Sequence, residues 1–241
     1  MKSFELIPFA SAGELSRAAA GEWLDEIATA SRAGKPHCVA LSGGRIARKF
    51  FASTIEQAGA RSISLECVHF FWADERCVPP DDAESNYRLA HELLFAPLKI
   101  GGTQIHRIPG ELSPDDAAAR AASEICRVAP LNAGGQPVLD VILLGMGEDG
   151  HVASLFPGEP EAAIFNRAVY RAVKNSPKPP PNRVTLGYAA LAAARRVWVL
   201  VSGPGKEAAL RESLSPAKKN PLGRLIQSRS NTKIFNDFRL V

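Results

Sequence analysis

Short apolar runs recur along the chain, separated by stretches whose apolar positions fall at helical spacing. The runs at 37–41, 65–72, 141–144 and 196–201 read as strands, and the unbroken ones as strands buried on both faces. Loose alternation over 3–9 predicts an edge strand, and 105–108 and 168–174 predict two more. Leu15, Ala18, Ala19, Trp23, Ile27 and Ala30 mark one face of a helix over 12–32, capped by Ser11 and ended by Gly34. Further helices are predicted over 46–58, from near Ser85, over 114–128 behind Ser113 and Pro114, over 185–194 with Thr185 as cap, and after Lys206 to about 214. Residues 73–84 and 132–137 read as loops, as does 175–182 with its four prolines. Strands and helices alternate throughout, which predicts an open, mostly parallel sheet flanked by helices. No repeat, low-complexity tract or boundary interrupts the pattern, so residues 1–241 read as one domain.

Composition supports that architecture. A chain of 241 residues with 46% hydrophobic content can bury the core of one large α/β domain. No apolar run reaches the ~18 residues of a membrane span. The amino-terminal stretch lacks an apolar core of signal-peptide length and carries Glu5. The expectation is therefore a cytoplasmic protein without a membrane partner. Cys38, Cys67, Cys77 and Cys126 are scattered with no C-x-x-C, so neither a zinc knuckle nor a redox pair is indicated, and no metal is expected. Cys38 and Cys67 fall in strand-like runs and read as buried thiols.

Net charge is +4, and its distribution matters more than its size. Residues 162–206 hold eight basic side chains and no acidic one: Arg167, Arg171, Lys174, Lys178, Arg183, Arg195, Arg196 and Lys206. This is either a solvated basic face or a field that favours an anionic substrate. The segment has no interleaved aromatics and no nucleic-acid motif, so a nucleic-acid partner is not expected.

The candidate chemistry centres on 139–157. A buried strand there runs into Gly145, Gly147 and Gly150, which permit a tight turn and close approach of the backbone to a ligand. Asp149 and His151 sit on that turn, at the carboxyl end of a strand, where open α/β sheets carry their sites. Gly145, Gly147 and Gly150 also match the dinucleotide fingerprint G-x-G-x-x-G. That fingerprint opens a full helix and needs an acidic residue about 20 positions on. Here Pro157 cuts the helix short and no Asp or Glu lies between Glu161 and Glu207. No nucleotide cofactor, and no other cofactor, is expected.

Three other loops follow apolar strands: Ser42, Gly43, Gly44 and Arg45; Asp74, Glu75 and Arg76; and 202–206, ending in Lys206. In a parallel sheet all four loops share one edge. They would gather backbone N–H groups, Arg45, Arg76, Lys206, Asp74, Asp149 and His151 into one cleft. Ser42, Gly43 and Gly44 lie between a strand and a helix, where backbone N–H groups suit a phosphate. Cys77 beside Arg76 could have a lowered pKa but has no apparent catalytic partner. Ser154 is not in a nucleophile elbow and reads as capping or packing near the site. His37, His69, His91 and His106 read as structural or surface residues.

The pattern from Gly145 to Pro157, Gly-Met-Gly-x-Asp-Gly-His-x-Ala-Ser-Leu-Phe-Pro, resembles the 6-phosphogluconolactonase family, whose relatives include the glucosamine-6-phosphate deaminases. The resemblance recurs along nearly the whole chain. Asp74-Glu75-Arg76, Val78-Pro79 and Ser85-Asn86-Tyr87 are similar to another family signature. Arg183 with Thr185, and Gly203 with Lys206, are similar to family elements in which the arginine and the lysine bind phosphate. Ser42, Gly43 and Gly44 resemble the phosphate loop Ser-Gly-Gly-x-Thr-Pro, but Ile46 and Ala47 stand where the Thr and Pro are usual, so one hydroxyl donor is missing.

The resemblance implies a Rossmann-like phosphosugar isomerase/deaminase-type fold and hydrolysis of a phosphosugar lactone, with the phosphate held by Arg45, Arg183, Lys206 and the loop N–H groups. A neutral imidazole suits the base that activates water. His151 is then the base, Asp149 or Asp74 orients it, and Arg76 or loop N–H groups meet the oxyanion. The expected assembly is a monomer or weak homodimer. Two alternatives share the scaffold: a glucosamine-6-phosphate deaminase-isomerase and a non-catalytic phosphosugar sensor. The deaminases typically continue Gly-His-x-Ala with Phe-Asn-Glu, where this chain has Ser154, Leu155 and Phe156. The sensors are usually fused to a DNA-binding segment.

Overall fold

The computed structural model describes residues 4–217 and 220–238. β1 (Phe4–Pro8) lies at a sheet edge, as its loose alternation predicts; position 3 of that expectation lies outside the described residues. In α1 (Ala12–Arg32), Ser11 Oγ accepts the Glu14 N–H at 3.2 Å and caps the first turn. Leu15, Trp23, Leu24 and Ile27 bury one face of α1. Trp23 meets Phe50 of α2 (Arg45–Ala60) at 5.5 Å between ring centroids. The Trp23 indole N–H donates to Nε2 of His37 at 3.1 Å. His37, which opens β2 (His37–Leu41), is thereby a structural residue, and burial lowers its pKa.

After β3 (Val68–Trp72) come β4 (Asp74–Arg76), α3 (Asn86–Ala90), a π-helical turn over His91–Phe95 and α4 (Ala96–Leu98). α5 (Pro114–Val128) starts at Pro114 with Ser113 as its cap. β5 (Val141–Gly145) is followed by α6 (Glu161–Ile164), β6 (Tyr170–Val173), β7 (Arg183–Leu186) and α7 (Tyr188–Ala193). β8 (Arg196–Val201), α8 (Glu207–Leu214), α9 (Pro221–Ser228) and β9 (Thr232–Asn236) complete the described chain.

Six strands form one parallel sheet in the order β1-β9-β8-β5-β2-β3. β5 and β2 are adjacent interior strands, and their side chains are almost all buried. Such strands read as continuous apolar runs because helices cover both faces. The chain leaves β2 toward β3 on one side, whereas β5 leads to β8 on the other. The crevice between the carboxyl ends of β2 and β5 is therefore the switch point where α/β sheets bind ligands. Among the described residues, no helix is long and apolar enough to cross a membrane.

A second sheet, β4-β7-β6, is antiparallel and packs against α5. It corrects two expectations. The predicted loop 73–84 contains β4, whose three charged residues pair with Thr185, Val184 and Arg183 of β7. Thr185 is an interior strand residue, not a helix cap, and α7 starts behind Gly187 instead. Both misreadings have one cause: short strands paired with distant partners leave no periodicity in the local sequence. The predicted strand at 105–108 reduces to a single bridge between Ile105 and Phe70, and the strand expected from Leu65 begins at Val68.

Candidate active site

β5 ends in a turn closed by two backbone hydrogen bonds, Gly147 N–H to His151 O at 2.9 Å and Gly150 N–H to Gly147 O at 3.1 Å. Gly150 has φ +78°, and a Cβ there would lie 2.5 Å from Nδ2 of buried Asn220. Asn220 caps α9, and the Leu222 N–H donates to Gly150 O at 3.1 Å, so a distant helix holds the turn in place. Gly147 is required for a different reason. A Cβ at that position would lie 2.0 Å from His151 Nδ1 and 2.7 Å from Asp149 Oδ1.

The turn places His151 Nδ1 2.5 Å from Asp149 Oδ1. Burial lowers the His151 pKa, and Lys178 adds to this; the Asp149 hydrogen bond and charge oppose it without reversing it. Burial pushes Asp149 the other way, but the His151 contact and Lys178, whose Nζ is 3.8 Å from Asp149 Oδ2, leave its pKa below the ordinary range. The stable combination near neutral pH is an aspartate accepting from a neutral imidazole. With the proton on Nδ1, Nε2 carries the lone pair of a general base.

Around this pair the cleft is lined by Ser42, Gly43, Gly44, Arg45, Asp74, Arg76, His151, Arg183 and Lys206, and by Ile46 and Asn86. Asp149 joins the group through its contact with His151. Gly44 (φ +92°) stands at the N-cap of α2 and no side chain among the described residues caps it, so the first N–H groups of the helix remain available to an anion. Ser42 Oγ is buried without a hydrogen-bond partner among the described residues. A Cβ on Gly43 would lie 1.9 Å from Asn86 Oδ1, so this loop must be glycine to pack beneath α3. Burial and then neighbouring Arg45 lower the Lys206 pKa, and the nearby carboxylates of Glu148 and Asp237 oppose this without reversing it.

Arg76 and Arg183 form a second positive pole. Burial and then Arg76 lower the Arg183 pKa, and Arg76 Nε is buried without a partner among the described residues. Arg183 is also a structural tie. Its Nε donates to Pro180 O at 3.0 Å, and its Nη2 to Lys178 O and Pro179 O at 3.0 and 2.8 Å. The proline-rich loop is thereby fastened to the cleft wall.

The linear basic run does not form one face. Arg171 pairs with Glu159, Lys174 with Asp115, Arg195 with Asp140 and Arg196 with Glu26. Lys178, Arg183 and Lys206 are the members of the run that sit at or beside the cleft. Two wider hollows, of about 580 and 590 Å³, lie at the amino ends of the strands, but Arg195 and Arg196 in their walls already have acidic partners.

Cys77 departs from expectation: burial, and then neighbouring Glu75, raise its thiol pKa to about 11. Cys38 is buried as expected, whereas Cys67 is only partly so. Glu75 is a structural residue that sequence reasoning missed. Its carboxylate accepts the N–H groups of Arg76, Asn86 and Tyr87, each at 2.7 Å, and fastens the start of α3 to β4. Glu75 lies 10 residues before the expected N-cap, Ser85, and their contact at 3.1 Å needs the turn that brings them together, so no local signal marked it. His69 and His106 contact each other at 3.0 Å, and His106 contacts Glu124 at 2.7 Å, so they are structural neighbours remote from the cleft residues. No group of three or more His, Cys, Asp or Glu among the described residues could hold a metal ion.

The fold and cleft together define a class: an α/β protein with an acid/base pair and an uncapped anion cradle at the switch point of a parallel sheet. The chain belongs to the glucosamine-6-phosphate isomerase/6-phosphogluconolactonase family, whose sequence profile matches residues 10–234. It is 42% identical to the 6-phosphogluconolactonase of Mycobacterium tuberculosis over 164 residues, covering 66% of this chain and 66% of that protein. It is 34% identical to the Streptomyces coelicolor 6-phosphogluconolactonase over 209 residues, covering 84% of this chain and 80% of that one. The solved 6-phosphogluconolactonase of Trypanosoma brucei superposes with a TM-score of 0.82 at 29% identity, covering 98% of this chain and 96% of that one.

Proposed function

We propose that this chain, acting as one domain, is a 6-phosphogluconolactonase. It hydrolyses 6-phospho-D-glucono-1,5-lactone to 6-phospho-D-gluconate, a step of the oxidative pentose phosphate pathway. The reading includes a cytoplasmic location, a monomer or weak homodimer, and no nucleic-acid partner, membrane partner or cofactor. The observation that carries it is the 2.5 Å His151–Asp149 contact in the same cleft as Lys206 and the Ser42 hydroxyl, which has no hydrogen-bond partner among the described residues.

A lactone is an activated ester, so hydrolysis needs a placed water, a base and a donor for the oxyanion. His151 Nε2 takes a proton from water as the water oxygen bonds to C1. Asp149 keeps the Nδ1 proton in place and stabilises the imidazolium that forms. Arg76 or loop N–H groups receive the charge that develops on the carbonyl oxygen. The tetrahedral intermediate collapses, the bond from C1 to the ring oxygen breaks, and His151 returns its proton to that oxygen. Asp74 receives a substrate hydroxyl. The 6-phosphate lies on Lys206, Arg45, Arg183, the Ser42 hydroxyl and the N–H groups of Gly43 and Gly44, which places C1 against the water.

Purified protein is expected to hydrolyse the lactone without added metal or nucleotide, and EDTA leaves the rate unchanged. Release of ammonia from glucosamine 6-phosphate, with no lactonase activity, would overturn the reading. Lys206→Met tests the phosphate site more cleanly than a change at Arg183, which also holds the proline-rich loop. Loss of a charge-assisted contact of ~1.5–3 kcal/mol raises KM roughly 10- to 100-fold. Hydrolysis of unphosphorylated gluconolactone should not change in this variant; an equal loss on both substrates would place the phosphate elsewhere.

A further inference from the structure

We propose that Ser154 is a positioning residue whose hydroxyl acts as a spacer between Asp74 and Arg183. It keeps the two charges from neutralising one another, so that both remain available to the substrate. The inference rests on the function proposed above and adds a residue to its machinery. Ser154 is fully buried, and Asp74 and Arg183 are 5% and 4% exposed. Its Oγ donates to Asp74 Oδ2 at 2.7 Å and lies 3.4 Å from Arg183 Nη1, from which it accepts. Its own N–H donates to Thr185 Oγ1 at 3.2 Å, which pins the hydroxyl to β7.

A carboxylate and a guanidinium buried this close normally join in a direct, often bidentate pair. No Asp74–Arg183 ion pair forms among the described residues, and a hydroxyl stands between the two groups instead. A serine hydroxyl suits the place because it donates once and accepts from other groups. Each charged group keeps free capacity. Asp74 Oδ1 accepts no hydrogen bond from the described residues, while Nη1 is the one Arg183 nitrogen not committed to the carbonyls at 178–180. Both residues line the cleft. Without the hydroxyl, attraction across the gap would draw Arg183 onto Asp74 and remove a donor and an acceptor from the substrate together.

The test compares wild type, Ser154→Ala, Ser154→Thr and Asp74→Asn with and without Ser154→Ala, using the phosphorylated lactone. Ser154→Ala is expected to raise KM roughly 10- to 100-fold, the order of a lost hydrogen bond to a charged group. The acid limb of its kcat/KM profile stays in place, because His151 and Asp149 are untouched. Its crystal structure shows Arg183 in direct contact with Asp74. Ser154→Thr keeps the hydroxyl and recovers most of the loss, and adding Ser154→Ala to Asp74→Asn changes KM little, because no carboxylate remains to attract the guanidinium. A folded Ser154→Ala protein with wild-type KM, or with Asp74 and Arg183 still apart, overturns the proposal. If the alanine protein does not fold, Ser154→Cys takes its place: as a weak donor it gives the same rise in KM, and wild-type KM in that protein overturns the proposal equally. An inactive wild type would sink the lactonase reading alone, since the crystallographic comparison still judges the spacer.

Discussion

Replacing His151 with glutamine is expected to lower the enzyme-dependent rate by ~10²–10⁴-fold, the usual contribution of a positioned general base. Glutamine can hydrogen-bond a water but cannot take its proton near neutral pH. His151→Ala should behave alike. Binding of 6-phosphogluconate should persist in both, because Ser42, Arg45 and Lys206 are untouched. The lactone also hydrolyses spontaneously, so the enzymatic rate is taken by difference. The pH dependence follows from the direction of the pKa shift. Burial lowers the His151 pKa, so the imidazole stays neutral to a lower pH than a free one. kcat/KM should accordingly hold through neutrality and fall on the acid side, with a midpoint below the ordinary imidazole value of about 6.5. Asp149 is ionised across that limb, because its own pKa is held down. Near wild-type turnover in both variants would exclude His151 as the base and direct attention to Asp74.

Gly147→Ala is expected to approach the same loss without touching a titratable group. The backbone at 147 is not in the left-handed region, so alanine brings no φ penalty. The added methyl would instead lie 2.0 Å from His151 Nδ1, inside any permitted contact. The imidazole must rotate off Asp149 or the turn must shift, and a displacement of about 1 Å at a reacting group can cost ~10²-fold. The variant should fold, retain 6-phosphogluconate binding and lose kcat. Gly150→Ala makes a useful contrast. Its φ of +78° and the packed Asn220 predict lost thermal stability together with lost activity. Wild-type kcat in Gly147→Ala would show that the dyad geometry is not what the turn protects.

The chemistry of the main loops was legible in the sequence because each is short and follows a continuous apolar strand. Gly147, Asp149, Gly150 and His151 lie close enough in the chain for their place on one turn to be read locally, although which aspartate meets the imidazole is not. Ser42, Gly43, Gly44 and Lys206 were legible on the same ground, since parallel strands deliver their following loops to one edge. Ser154 was read as packing because its partners, Asp74 and Arg183, are 80 and 29 residues away. Glu75 was passed over because a carboxylate between two charged residues looks solvated until α3 folds onto it.

The amino-acid sequence by itself determined the alternation of strand and helix, the helix starts at Ser11, Ser85 and Ser113, and the gathering of four loops around His151. These depend on local patterns: periodicity of burial, capping hydroxyls, and glycine where the turn or its packing excludes a side chain. Only the tertiary structure decided which aspartate touches His151, because that distance depends on how the turn is held by Asn220 and α9. It alone separated the basic residues paired with acids elsewhere from those left facing the cleft. It also revealed the β4-β7-β6 sheet, in which the β4–β7 pairing joins segments about a hundred residues apart and so leaves no period in either one. Long-range pairing and charge neutralisation depend on spatial neighbours, and a one-dimensional pattern does not record which neighbours those are.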